Sequence, residues 1–154
     1  FSTFSEFAQA DLQDIFGGSL EEGLHYEART FASFYFENTG SKFVRKQLPL
    51  EAQFSAITDF LIFDMDGDQK KDVFLAGNLT NTEVETTRLD AGKGLCLVAT
   101  DTEWSILHQQ QSGIMANGNV KGLCLLNVGK EKRPLIIVAN NNGPLTSFLL
   151  NKMN

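Results

Sequence analysis

The hydrophobic period along the chain changes once, near residue 23, and the change divides the chain in two. Before it, Phe4, Phe7, Ala8, Leu12, Ile15 and Phe16 recur every three or four positions, which predicts an amphipathic helix. Thr3 and Glu6 have the spacing of a capping box, and Gly17 and Gly18 supply a stop. Ser19 and Glu22 repeat the cap signal and predict one further short turn. Residues 1–22 therefore read as a helical lead.

From residue 24 the period is two. Leu24, Tyr26, Ala28 and Thr30 alternate with His25, Glu27 and Arg29, and the run continues to Phe36, predicting one long strand or two shorter ones. A turn over 38–42 and a return strand over 43–48 make a hairpin that Pro49 ends. Further strands are predicted at 56–63, 73–78, 95–100, 103–108, 120–128, 135–139 and 146–150, with a long polar loop over 79–94. No long helix follows the first, so βαβ units are not expected and the class is all-β.

The strands repeat. Residues 57–63 align with 120–126 at an offset of 63, and without a gap residues 73–78 fall on 136–141, apolar on apolar, with Ala76 meeting Ala139. Residues 34–43 resemble 95–104 about 61 positions later. A unit of about 60 residues with four short strands is the anatomy of a propeller blade. The expected architecture is a partial β-propeller of four-stranded antiparallel blades, about two blades in all: a partial blade over 24–48, a full blade over 56–108 and a partial blade over 119–150. Such a set cannot close a ring, so the chain is expected to be a fragment or to complete its sheets with a partner, and open sheet edges predict a homo-oligomer.

Composition narrows the chemistry. The chain has 154 residues, 42% of them hydrophobic and 21% charged, with a net charge of −6 and a pI near 4.8. That balance disfavours nucleic acid and anionic membrane as partners and suits a protein that holds a cation. No apolar run reaches about 18 residues, so no membrane span is expected. The chain starts at Phe1 rather than Met, which suits a mature, truncated or proteolysed product, from which any export signal would have been lost upstream. Cys96 and Cys124 sit in apolar runs and read as two buried free thiols, not as metal ligands.

The most specific motif is the run from Asp64 to Asp72, with Asp64, Asp66, Asp68 and Asp72 at positions 1, 3, 5 and 9 and Gly67 at the bend. Alternate carboxylates on a curled loop converge on one point, and a calcium ion takes six to eight hard oxygen ligands at about 2.3–2.6 Å. Gly67 lets the chain curl without a Cβ clash, and the Lys70 carbonyl is placed for a further ligand. An EF-hand would need Gly at position 6 and Glu at position 12, where this chain has Gln69 and Leu75, and the flanks read as strands. Magnesium seldom uses a cage made wholly of protein oxygens. In the aligned loop Asn127, Gly129, Glu131 and Leu135 replace the four aspartates, so one calcium site is expected in the chain.

This strand, DxDGDxxxD loop and strand resemble the FG-GAP (VCBS) repeats of integrin α-subunit propellers and of bacterial envelope proteins. Residues 48–54, 74–78, 85–94 and 141–145 are similar to the C-terminal end of bacterial FG-GAP proteins of the UnbV-associated type, and the resemblance covers much of residues 31–150. It implies a propeller fold, calcium held by Asp64, Asp66, Asp68 and Asp72, and an extracellular, cell-surface or periplasmic location. Arg88 and Asp90 in the long loop suit a structural ion pair better than a ligand site, and His25 and His108 read as strand-surface residues. Asn78, Leu79 and Thr80 form a glycosylation sequon. With no nucleophile, phosphate loop or acid–base set, the expected function is a calcium-binding module for protein or glycan contact in an exported bacterial protein. The alternative is a non-catalytic accessory domain of an exported enzyme.

Overall fold

The computed structural model describes residues 1–101 and 103–151, which fall into two compact units, residues 1–31 and the described residues from 32 onward. In the first unit the helical lead is broken into three short helices: α1 Phe4–Gln9, α2 Leu12–Phe16 and α3 Ser19–Glu22. The Thr3–Glu6 capping box opens α1 as expected. A second box explains the break. Asp11 accepts from the Asp14 amide while the Asp14 carboxylate accepts from the Asp11 amide, so the chain restarts at Asp11 instead of running through it. No strand forms over residues 24–32, which corrects the strand expected there and trims the partial blade of 24–48 to a single hairpin. Period two is necessary for a strand but not sufficient. Leu24 and Tyr26 stand 83% and 85% exposed, with no neighbouring strand to take their backbone groups.

The second unit is β-rich. Its strands are β1 Phe34–Asn38, β2 Phe43–Gln47, β3 Asp59–Phe63, β4 Asp72–Ala76, β5 Leu95–Ala99, β6 Trp104–Leu107, β7 Val120–Val128, β8 Arg133–Asn140 and β9 Thr146–Leu149. They make three antiparallel sheets, each in simple chain order: β1-β2, β3-β4-β5-β6 and β7-β8-β9. Two short elements fall outside the expectations, a 3-10 turn Leu50–Gln53 and α4 Gln109–Ser112. The turn carries Gln53, whose side chain accepts from Ser33 N at 2.6 Å and donates to the Ser33 and Leu48 carbonyls, tying the two ends of the first sheet together.

Alternation places each strand residue on one of two faces. In the second sheet Val73, Leu75 and Leu97 pack toward the first sheet, where Tyr35 lies 4.6 Å from Trp104, centroid to centroid. Phe63, Phe74, Ala76 and Cys96 pack the other way, onto Ile136 and Val138 of the third sheet. All of β4 is buried, because it is covered on both faces and flanked on both edges. The two hairpins also share register at the 63-residue offset: Asp59 pairs with Ala76 as Gly122 pairs with Ala139, and Phe63 with Asp72 as Leu126 with Leu135.

Two further bonds clamp the second sheet to the third. Thr58 Oγ1 donates to the Val120 carbonyl at 2.7 Å, and Asp59 Oδ2 accepts from Leu123 N at 2.7 Å. The strongest clamp is Asn78, wholly buried just past β4. Its Nδ2 donates to the carbonyls of Gly92, Asn117 and Gly118, and its Oδ1 accepts from Gly92 N at 2.9 Å, with the Ser55 hydroxyl 2.7 Å away. One side chain thus fixes the 79–94 loop and the entry to β7. Gly77 beside it is required by space, since a Cβ there would stand 2.3 Å from the Ala56 carbonyl and 2.4 Å from Thr58 N.

Asn78→Ala should therefore lower unfolding free energy by roughly 3 kcal/mol or more, because several buried backbone groups lose their partner at once. Urea denaturation measures this, and a loss below about 1 kcal/mol would show that the Asn78 bonds do not carry the loop.

Candidate metal centre

The acidic loop begins where the β3–β4 ladder stops. After the Phe63–Asp72 pair, eight residues, 64–71, leave the sheet and turn on their own side chains. Asp64 Oδ1 accepts from Gly67 N at 2.6 Å and its Oδ2 from Gln69 N at 3.0 Å. Asp66 Oδ1 accepts from Asp68 N at 3.1 Å, and Asp68 Oδ1 from Lys70 N at 2.8 Å. Each aspartate bonds an amide a few residues ahead, which is why Asp at every second position curls the chain. Gly67 has φ +93° and open space around the Cβ position, so its role is the left-handed backbone and not the avoidance of a clash. Gln69 adopts φ +70° as well, a strained conformation for a residue with a side chain.

The curl brings three of the four aspartates together. Asp64, Asp66 and Asp72 each place a carboxylate oxygen within 4.8 Å of the others, a spacing that one cation can bridge. Asp64 and Asp66 are half-buried and Asp72 is wholly buried. Carboxylates this close repel by roughly 1 kcal/mol per pair in water and about 4 kcal/mol near a protein surface, and a cation converts that repulsion into attraction. The donors are hard oxygens on a strand–loop–strand support, which fits a hard divalent ion.

The fourth aspartate stands outside this grouping. Asp68 is exposed, and its carboxylate lies 3.6 Å from Lys70 Nζ instead of joining the triad. Lys70 Nζ is 2.8 Å from Asp101 in the β5–β6 turn. The hydrogen bond and charge of Asp101 raise the Lys70 pKa, and Lys70 in turn lowers that of Asp101. Both groups are at the surface, so the pair positions the loop without adding much stability.

Asp72 has a second task that the spacing of the motif does not reveal. Its Oδ2 accepts from Met65 N at 2.7 Å, and its Oδ1 accepts from Ala99 N at 2.8 Å. It closes the acidic loop onto its own strand and ties it to β5, using lone pairs that leave others on the same oxygens for an ion. In the aligned hairpin the ladder runs on past Leu126–Leu135 to Asn127–Pro134 and Val128–Arg133, and Gly129 turns with φ +72°. Backbone pairing holds that turn, and among the described residues no carboxylate cluster forms there.

The remaining candidates are structural. Asn78 of the sequon has no exposed surface and spends its amide on the loop, so the folded chain presents no acceptor there. Cys96 is buried as expected, and that burial pushes its thiol up to about 11, with the Asp72 charge adding to the rise and a Ser112 hydrogen bond opposing it. Cys124 is exposed, which corrects the expectation of two buried thiols; its strand is covered on one face only. No helix among the described residues is long and apolar enough to cross a membrane. Comparison with protein-family models, curated proteins and solved structures finds no significant match for this chain.

Two outcomes follow. Asp72→Ala should cost about 2–5 kcal/mol of stability in EDTA, because Met65 N and Ala99 N lose their acceptor whether or not an ion is present. Equal melting of the variant and the parent in EDTA would remove the structural role given to Asp72. Alkylation of dilute native protein at pH 8 should label Cys124 and leave Cys96 unlabelled until denaturant is added, since only a thiolate reacts and Cys96 stays protonated well above that pH. Mass spectrometry of the labelled peptides reads the result, and rapid native labelling of Cys96 would contradict it.

Proposed function

We propose that this chain is a calcium-binding β-propeller module of the FG-GAP kind, serving protein or glycan contact in an exported bacterial protein. The single observation that carries the reading is the convergence of Asp64, Asp66 and Asp72 within 4.8 Å on a loop between two sheet strands. The shared register of the β3–β4 and β7–β8 hairpins at one fixed offset supports the blade arrangement. The oxygen-only donor set favours calcium over transition metals, which prefer nitrogen or sulfur. Three carboxylates leave room in a six- to eight-coordinate shell for water and for a loop carbonyl such as that of Lys70. Asp68 completes the set of four by turning from Lys70 toward the ion. The exported location and the contact role rest on the resemblance of the DxDGDxxxD loop and its flanks.

In this reading the ion is a structural rivet. It fixes the loop at the end of the β3–β4 hairpin and, through Asp72, the neighbouring β5 strand. Calcium at about a hundredfold excess over its Kd should stabilise the fold by about 2.7 kcal/mol, a rise in Tm of roughly 5–10 °C for a chain of this size. Asp66→Ala is the informative control. Asp66 bonds only within the loop, so its loss should abolish the calcium response while leaving the EDTA melting point within about 2 °C of the parent. Scanning calorimetry with calcium, magnesium and EDTA makes the test. No shift at millimolar calcium, or an equal shift in Asp66→Ala, would refute the site.

A further inference from the structure

The three sheets of residues 32–151 pack in series, and the two ends of the series carry unlike apolar faces. The face of the second sheet that is covered by the third carries Leu61, Phe63, Phe74 and Ala76. Moved by 63 positions, these become Cys124, Leu126, Ile137 and Ala139. By strand alternation those four share one face of the third sheet, since Cys124 pairs with Ile137 and Leu126 with Leu135. Their neighbours Leu123, Leu125, Ile136 and Val138 point the opposite way, into the core. The third sheet therefore presents outward the same face that the second sheet buries. Cys124 is exposed there, Leu126 is 43% exposed, and Leu149 on β9 extends the patch.

The surface that covers such a face within the chain is the opposite face of a similar sheet. The first sheet offers one. Tyr35 points inward to Trp104, so Phe34 and Phe36 point outward, with Arg45 over the Phe34 ring at 4.7 Å. Phe36 is 62% exposed, and Phe43 lies beside it on the same face. One chain thus carries both halves of a sheet-on-sheet contact that it already makes twice internally. Contiguous exposed apolar faces are candidate interaction sites.

We propose that copies of this chain associate head to tail, the outer face of the third sheet of one copy covering the outer face of the first sheet of the next. The contact continues the existing packing by one step and is independent of the acidic loop. Because the two faces differ, the association is heterologous, and every copy that joins leaves one face of each kind free for another. It uses sheet faces, and so differs from pairing through the open edges of β6 or β9.

Sedimentation velocity of the full chain from low to high micromolar concentration tests it. The expected result is a mass that grows with concentration. Leu126→Glu and Phe36→Glu, on opposite faces, should each weaken self-association by on the order of tenfold or more. An equimolar mixture of the two variants should recover a species of two chains and nothing larger, because each variant keeps one intact face. A wild-type chain that stays single throughout, or a Phe36→Glu protein that associates like wild type, overturns the proposal. The same holds for a mixture of folded variants that stays monomeric, and for assemblies that survive both substitutions, which would indicate edge pairing. Cys124 gives a reading without any variant: its alkylation should slow as protein concentration rises, and a rate independent of concentration while the mass increases would also overturn the proposal.

Discussion

A strand buried on both faces must end its hydrogen-bond ladder without help from water, and β4 meets this constraint with one buried polar side chain at each end. Asp72 opens the strand and holds Met65 N and Ala99 N; Asn78 follows it and holds Gly92, Asn117 and Gly118. Neither side chain has any exposed surface. Both are expensive to bury and cheap once every partner is in place. The rest of the second unit depends on them. Through Asp72 the central strand controls the acidic loop and β5, and through Asn78 it controls the long loop and the entry to the third sheet. The carboxylate triad and the clamp on the third sheet are thus at two ends of one strand.

In that arrangement the acidic loop serves the fold through its own hydrogen bonds. Asp64 and Asp66 bond only to amides inside the loop. Asp72 reaches across to a neighbouring strand. A cation at the triad would therefore stiffen a connection that already exists, and the effect would pass to β5 through one carboxylate. Without a cation the carboxylates would stay crowded on a curled loop, but the Asp72 bonds to the sheet would remain. Ion loss is expected to loosen the loop before it unfolds the chain.

Much of this was legible in the residues. The seven strands from β3 onward lie within a few residues of the hydrophobic runs that predicted them, because each run is bounded by turn residues and finds a partner in a run adjacent in sequence. The Asp64–Asp66–Asp72 grouping followed from alternate spacing around Gly67. What could not be read were the long-range partners. Residues 24–30 alternate as well as any strand does but have no sheet to join. Asp11 looks like an ordinary helical residue until Asp14 is seen to cap it. Asn78 reads as a sequon or the last residue of a strand, and only the fold brings Asn117 and Gly118 to its amide. Asp68 fits the ligand pattern, yet its carboxylate faces Lys70, which is held in turn by Asp101 from another hairpin. The long loop over 79–94, polar and featureless in sequence, is pinned by Asn78 and by a Leu79–Leu89 bridge.

The two aligned hairpins show what the aspartates replace. Both pair identically up to Phe63–Asp72 and Leu126–Leu135, with eight residues between the last partners in each. In β7–β8 the ladder adds Asn127–Pro134 and Val128–Arg133, and a four-residue turn closes it. In β3–β4 the ladder stops at once, and eight residues of backbone lose cross-strand partners. Those groups must be satisfied by something other than a strand. Asp64, Asp66 and Asp68 take the amides of Gly67, Gln69, Asp68 and Lys70, while Asp72 takes that of Met65. Carboxylates that serve this purpose crowd together, and a cation at the triad would offset their repulsion. Leu135, at the place of Asp72, bonds to no loop amide because its hairpin needs none. Ladder and aspartate loop are therefore alternative ways to close the same turn, and the residue at that one position, Asp or Leu, goes with the choice.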